Sequence, residues 1–222
     1  MFDASLRRTK DRYGESVAAL FRGVSPNTIS LASFVVGMFS AGLAFYGWFG
    51  FALILWIISR LLDGLDGLIA RVLDKQTDFG GYLDILCDFA VYAILPIAIV
   101  QNRPSPEGYL ALAFLLATFN INGASWMYLA AILEKRGSQY VGDPAAPPAM
   151  TSIIMPSGLV GAAETILAYC LFLIWPSQAA LLFTVFGGMV VITTLQRLAW
   201  AWHTFGKQEC KGPVTKNETQ KP

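Results

Sequence analysis

Asp63, Asp66, Asp84 and Asp88 lie inside, or at the edge of, stretches otherwise apolar enough to enter a bilayer. A charged side chain there costs about 3 kcal/mol or more unless it is partnered, so any fold of this chain must first accommodate these four groups. Asp63 and Asp66 are three residues apart and Asp84 and Asp88 four apart, which puts each pair on one face if both segments are helical. Asp63 precedes Arg71 by eight residues and Asp88 follows Gly80 by eight. On two antiparallel helices joined at residues 72–79, each would then stand about 12 Å from the turn at a rise of about 1.5 Å per residue. Asp66 and Asp84 fall five and four residues from the same turn. The spacing therefore predicts two matched rungs of carboxylates between the helices.

Four anions held this close repel, and either several are protonated or a cation holds them together. An all-carboxylate set suits hard divalent ions such as Mg²⁺, Mn²⁺ or Ca²⁺, with room for two; the lack of a neighbouring His or thiolate cluster argues against zinc. Gly67, Ala70 and Gly80 remove bulk beside the carboxylates, so a ligand can approach the backbone. Arg71 offers a fork suited to phosphate oxygens.

The pattern Asp-x2-Asp-Gly-x2-Ala-Arg-x8-Gly-x3-Asp-x3-Asp, filled by Asp63, Asp66, Gly67, Ala70, Arg71, Gly80, Asp84 and Asp88, resembles the signature of the CDP-alcohol phosphotransferases. These are integral-membrane enzymes that make phospholipid head groups. The stretch Arg60–Gly67, with Asn122-Gly123-Ala124-Ser125 and Glu164-Thr165-Ile166, looks most like a bacterial inner-membrane branch of that family, although the Gly-Thr usual before the Glu-Thr in that branch is here Ala162-Ala163.

Composition agrees. Only 14% of the residues are charged, against about a quarter in an ordinary soluble domain, and the mean hydropathy is +0.53. A net charge of +1 provides no basic field for nucleic acid. Cys87, Cys170 and Cys210 are too scattered for a disulfide framework or a zinc site.

The expected fold is all-α: a six-span membrane bundle preceded by an amphipathic surface helix. Residues 1–24 form that juxtamembrane segment, 25–205 the membrane domain and 206–222 a polar tail. Spans are expected at about 28–47, 50–71, 80–101, 108–133, 155–175 and 178–202, from the need for about 20 apolar residues each. The loop at 134–154, with Pro144, Pro147 and Pro148, should be irregular. Lys and Arg fall almost entirely on the side holding both termini, with Arg103 alone opposite, so the positive-inside rule predicts that the termini and the 71–80 turn are cytoplasmic.

The resemblance implies a function and roles. The donor would be a CDP-alcohol lipid, most often CDP-diacylglycerol, the acceptor a small polar or phosphorylated alcohol, and CMP the leaving group. Asp63, Asp66, Asp84 and Asp88 would bind Mg²⁺ or Mn²⁺, two ions in all, with Asp88 also the general base. Gly67, Ala70, Arg71 and Gly80 would shape the nucleotide-phosphate pocket, and a homodimer is expected. Phe89 follows Asp88 where phosphatidylglycerophosphate synthases carry Lys and phosphatidylinositol-phosphate synthases Arg, so the acceptor is not given by the motif.

Arg60, three residues before Asp63, either orients that carboxylate or snorkels to another partner. Glu164 is an intramembrane acid with either a structural or an acceptor-binding role. Asn120, Asn122 and Ser125 read as helix-packing residues, and the positive-inside rule accounts for Arg136 and Arg197. The alternative reading is a non-enzymatic membrane protein that binds or transports divalent cations. Such a site would usually lie near the midplane between repeats, whereas here it sits at the cytoplasmic end, no repeat is visible, and Gly67, Ala70, Arg71 and Gly80 would have no role.

Overall fold

In the computed structural model, the described residues are 21, 23–138 and 158–206. They contain six α-helices and no strand: α1 (Pro26–Phe45), α2 (Phe49–Val72), α3 (Asp78–Asn102), α4 (Pro106–Ser138), α5 (Ala162–Ile174) and α6 (Ala179–Ala201). The expected amphipathic N-terminal helix, Pro156, the polar tail and the proline-rich part of the 134–154 loop lie outside the described residues; the start of that loop, through Ser138, continues α4.

Four of the helical segments, Pro26–Phe45, Asp78–Asn102, Pro106–Lys135 and Pro176–Phe205, are long and apolar enough to cross a membrane. The six expected spans each meet a helix, but two fall short of that standard. Helix α2 has 24 residues and is long enough, yet Arg60, Asp63, Asp66 and Arg71 interrupt its apolar character. Helix α5 has 13 described residues, below the roughly 20 a span needs.

The chain divides into two compact units, Met1–Ala113 with Thr165–Thr184, and Phe114–Glu164 with Val185–Pro222. In the first, α1 packs on both α2 and α3 through a stripe of small residues: Ser30, Ser33, Gly37, Ser40, Ala41 and Ala44 are all buried. This is how helices meet where lipid removes the hydrophobic drive for association, since small side chains let the backbones close and let hydroxyls bond across. The Ser33 hydroxyl donates to the Ser59 carbonyl at 2.8 Å and the Ser59 hydroxyl returns the bond to the Ser33 carbonyl at 2.9 Å. Ser40 donates to the Ala52 carbonyl at 2.7 Å. Farther along, Trp56, fully buried, stacks on Tyr169 of α5 with centroids 5.1 Å apart. The Tyr169 hydroxyl donates to the Tyr92 carbonyl of α3 at 2.6 Å.

The α2–α3 turn is closed from both ends. The Lys75 amide bonds back to the Ala70 carbonyl at 2.9 Å, with Asp74 in the left-handed region at φ 51°; this is a Schellman closure with Asp where glycine is usual. Thr77 then caps α3, its hydroxyl accepting from the Gly80 amide at 3.0 Å, while Asp78 in the first turn complements the helix dipole.

In the second unit, the segment before α5 is held against α6. The Val160 amide donates to the Thr193 hydroxyl at 2.9 Å and the Leu159 amide to the Gln196 side-chain oxygen, Oε1, at 3.0 Å.

A Cβ on Gly37 would stand 2.9 Å from both Val91 γ-carbons and 3.1 Å from the Ser59 hydroxyl. Gly37→Ala is therefore expected to destabilise by about 1–3 kcal/mol through overpacking, read as a lower Tm in detergent. Val91→Ala in the same chain should recover part of the loss; an unchanged Tm in the single variant would contradict the close approach of α1 and α3.

Candidate functional site

The turn between α2 and α3 sets two short levels of polar side chains, and their chemistry differs. Nearest the turn is a cavity of about 210 Å³. It is lined by Asp66, Gly67, Ala70 and Arg71 of α2, by Gly80, Gly81 and Asp84 of α3, by Lys75, Gln76 and Thr77 of the turn, and by Pro26, Asn27 and Ser30 of α1. Six of the eight signature positions thus share one space. Ile29 and Ile69 are buried beside it, packed by Phe21, Val24, Leu62, Leu65, Val72 and Leu73, so its polar wall is backed by apolar side chains.

Asp66 is 5% exposed and accepts a short hydrogen bond from the Ser30 hydroxyl, which also lies 3.2 Å from the Pro26 carbonyl. Gly67 leaves room for Arg71: a Cβ there would sit 3.3 Å from one guanidinium nitrogen. At Gly80 a Cβ would lie 2.8 Å from Asn27 Oδ1 and 3.0 Å from the Thr77 hydroxyl. Glycine at this position lets α3 start hard against α1.

One level deeper, the rung of Asp63 and Asp88 is bridged by Arg60. Its Nη1 donates to Asp88 Oδ1 at 2.6 Å and lies 3.6 Å from Asp63 Oδ2. The same nitrogen is 3.3 Å from the Tyr92 hydroxyl, and Nη2 donates to the Ser59 hydroxyl at 3.1 Å. The guanidinium carbon lies 4.9 Å from the Trp56 ring centroid and 5.2 Å from that of Tyr92, within the range of cation–π attraction. Among the described residues, no three His, Cys, Asp or Glu side chains draw close enough to enclose an ion. The rungs are present as the spacing predicts, but the deeper one is spanned by a protein cation.

Arg60 accordingly pairs with both Asp63 and Asp88 rather than with the first alone. Ser30, Trp56, Tyr92 and Tyr169 were missed by sequence reasoning. The small-residue spacing of α1, with serines at 30, 33 and 40 around Gly37, is the signal that could have found Ser30. The aromatic residues are separated by up to about a hundred positions, and only folding brings them together.

The residues left open divide. Asn122 accepts through its side-chain oxygen from Arg197 at 3.0 Å and from Thr194 at 3.3 Å, a packing role as expected; the Arg197 guanidinium also donates to the Asn122 carbonyl at 3.1 Å. Glu164 accepts from the Gly161 amide at 2.9 Å, which makes it a cap at the start of α5. The Arg136 side chain lies outside the described residues.

Comparison with known proteins points one way. The family model described as CDP-alcohol phosphatidyltransferase matches residues 23–196. The "Inner membrane protein YnjF" of Escherichia coli (strain K12) is 34% identical over 176 residues, covering 79% of this chain and 82% of that protein. Among solved structures, the Mycobacterium tuberculosis phosphatidylinositol phosphate synthase with CDP-DAG bound superposes with TM-score 0.61 at 19% identity, covering 86% of this chain and 94% of that one. The same enzyme in complex with manganese and citrate gives TM-score 0.63 at 20% identity, covering 85% and 88%. At these identities the structures show a shared fold.

Ser30→Ala leaves the buried Asp66 carboxylate without its hydroxyl donor and should cost about 1.5–3 kcal/mol, as expected for a bond to a charged group. Thermal unfolding of Ser30→Ala, Asp66→Asn and the double variant would measure the coupling. Additive losses would mean that the bond contributes nothing.

Proposed function

The chain belongs to the CDP-alcohol phosphatidyltransferase family, and from that premise we propose that it moves a phosphatidyl group from CDP-diacylglycerol to the hydroxyl of a small polar or phosphorylated alcohol, releasing CMP. The observation that carries this reading is the cavity in which Asp66, Gly67, Ala70, Arg71, Gly80 and Asp84 meet. A diphosphate needs backbone it can approach closely and a forked cation, and Gly67, Ala70 and Gly80 with Arg71 supply both.

The oxygen-only donor set of Asp63, Asp66, Asp84 and Asp88 fits Mg²⁺ or Mn²⁺ and not zinc. Two such ions would supply charge neutralisation and Lewis acidity toward the diphosphate. That the M. tuberculosis structure holds manganese supports the assignment.

The rest of the chemistry is assigned to the chain itself. Arg71 and the glycine-lined wall hold the nucleotide diphosphate. Asp88 takes the acceptor's proton as its oxygen bonds to the lipid-bearing phosphorus, and the bond from that phosphorus to the CMP oxygen breaks. Exposed apolar residues near the site, Leu61, Phe79, Tyr82, Leu86 and Phe89, offer the acyl chains a lipid-facing surface.

The finer topology belongs to the same reading. Helices α2 and α5 complete six spans, α2 crossing because Arg60 offsets Asp63 within the helix and Asp88 of α3. By the positive-inside rule the termini and the cavity face the cytoplasm, where nucleotide is found. A bacterial inner membrane, a single membrane domain over 25–205 and a homodimer follow from the family.

The test is CMP release from CDP-diacylglycerol by the purified protein in detergent with Mg²⁺ or Mn²⁺, across glycerol-3-phosphate, serine, inositol, inositol phosphate and glycerol. Release with one acceptor is expected, abolished by chelation and slowed at least about 100-fold by Asp88→Asn, the scale of a lost general base. No release with any acceptor would sink the assignment of donor and acceptor class.

A further inference from the structure

Arg60 does more than its neighbourhood in the motif requires. Its side chain is 4% exposed, and it is gripped on several sides: by the Ser59 hydroxyl, by the faces of Trp56 and Tyr92, and by Asp88 and Asp63. The grip is itself braced. Ser59 bonds reciprocally with Ser33 of α1, and Trp56 and Tyr92 both meet Tyr169. The Arg60 Nε has no hydrogen-bond partner; Nη1 alone meets the carboxylate rung, while Nη2 is held by the Ser59 hydroxyl. A flexible surface arginine could swing away when another cation arrived. This one has nowhere to go.

We propose that Arg60 is a resident counter-cation of the carboxylate cluster, fixed by its aromatic and hydroxyl cage, which holds Asp88 by one oxygen and makes divalent ions bind against a permanent positive charge. The inference rests on the reading that the four aspartates hold divalent ions. It adds two things. In the metal-free protein, Arg60 offsets one of the four negative charges that would otherwise repel one another within the apolar helices. With metal present it stays, so the cluster binds more weakly than four carboxylates alone would, while Asp88 Oδ1 remains tied to the guanidinium. Arg60 is thus a positioning residue that also sets metal affinity.

The two effects have opposite signs, and that separates them from a simple structural role. Removing the charge should tighten metal binding while slowing turnover; mere loss of packing would weaken binding. Mn²⁺ titration of the purified full-length protein, followed by the loss of the free-ion electron paramagnetic resonance signal, reads the first. CMP release at saturating Mn²⁺ reads the second. Arg60→Gln and Arg60→Met are expected to bind Mn²⁺ about ten-fold more tightly, equivalent to about 1.4 kcal/mol, with a lower maximal rate. Arg60→Lys, which keeps the charge without the fork, should bring affinity back near wild type and leave the rate low.

Recovery of the two neutral variants only when Mn²⁺ is present throughout purification would also support the proposal, because it shows the counter-charge to be needed only without metal. Unchanged or weaker Mn²⁺ binding in folded neutral variants would overturn it, as would failure to fold with or without Mn²⁺. The underlying reading fails separately: wild type that binds no Mn²⁺, or Asp84→Asn that binds it as wild type does, would remove the metal cluster itself.

Discussion

The structure depends on neutralising carboxylates inside apolar helices. An unpartnered charge in a bilayer costs several kcal/mol, and two aspartates here, Asp66 buried and Asp88 half-buried, answer that cost differently. Asp66 takes a hydroxyl from α1. Asp88 takes a guanidinium from α2. Both solutions draw on helix contacts that the small-residue stripe of α1 makes possible, since only where α1, α2 and α3 approach closely can Ser30 and the Ser33–Ser59 pair reach their partners. The packing of the first unit and its polar chemistry are therefore one arrangement.

This arrangement also divides the labour between the two levels. The level near the turn is open, glycine-lined and carries Arg71 beside Asp66 and Asp84, which suits a phosphate-bearing ligand. The deeper level is aromatic and carries buried Arg60 between the half-buried Asp63 and Asp88.

Much of the site was legible before folding. The three- and four-residue spacings and the matched distances to the turn predict the rungs, and Gly67, Ala70, Arg71 and Gly80 line one cavity with Asp66 and Asp84. The six helices fall within a few residues of the expected spans, except that α5 begins at Ala162. Spans were less legible for α2 and α5, because charge within one and shortness of the other defeat a criterion based on length and apolar content. Glu164 reads from the sequence as either structural or acceptor-binding; in the fold it accepts from the Gly161 amide before α5, a local bond invisible to a reading of hydropathy.

What the sequence determined by itself is the set of features repeated at short range: helical periodicity, the faces on which aspartates fall, the glycines set beside them, and the family to which that spacing belongs. Tertiary structure decided who partners whom. Asp88 meets Arg60 across 28 positions, Asp66 meets Ser30 across 36, and Tyr92 meets Tyr169 across 77. The physical reason is that spacing along a helix specifies a face but not the rotation or depth at which another helix presents its own. Those are set by side-chain volume at the contact, here by glycine and serine along α1, and only in the folded chain does that volume decide which polar groups come within hydrogen-bonding reach.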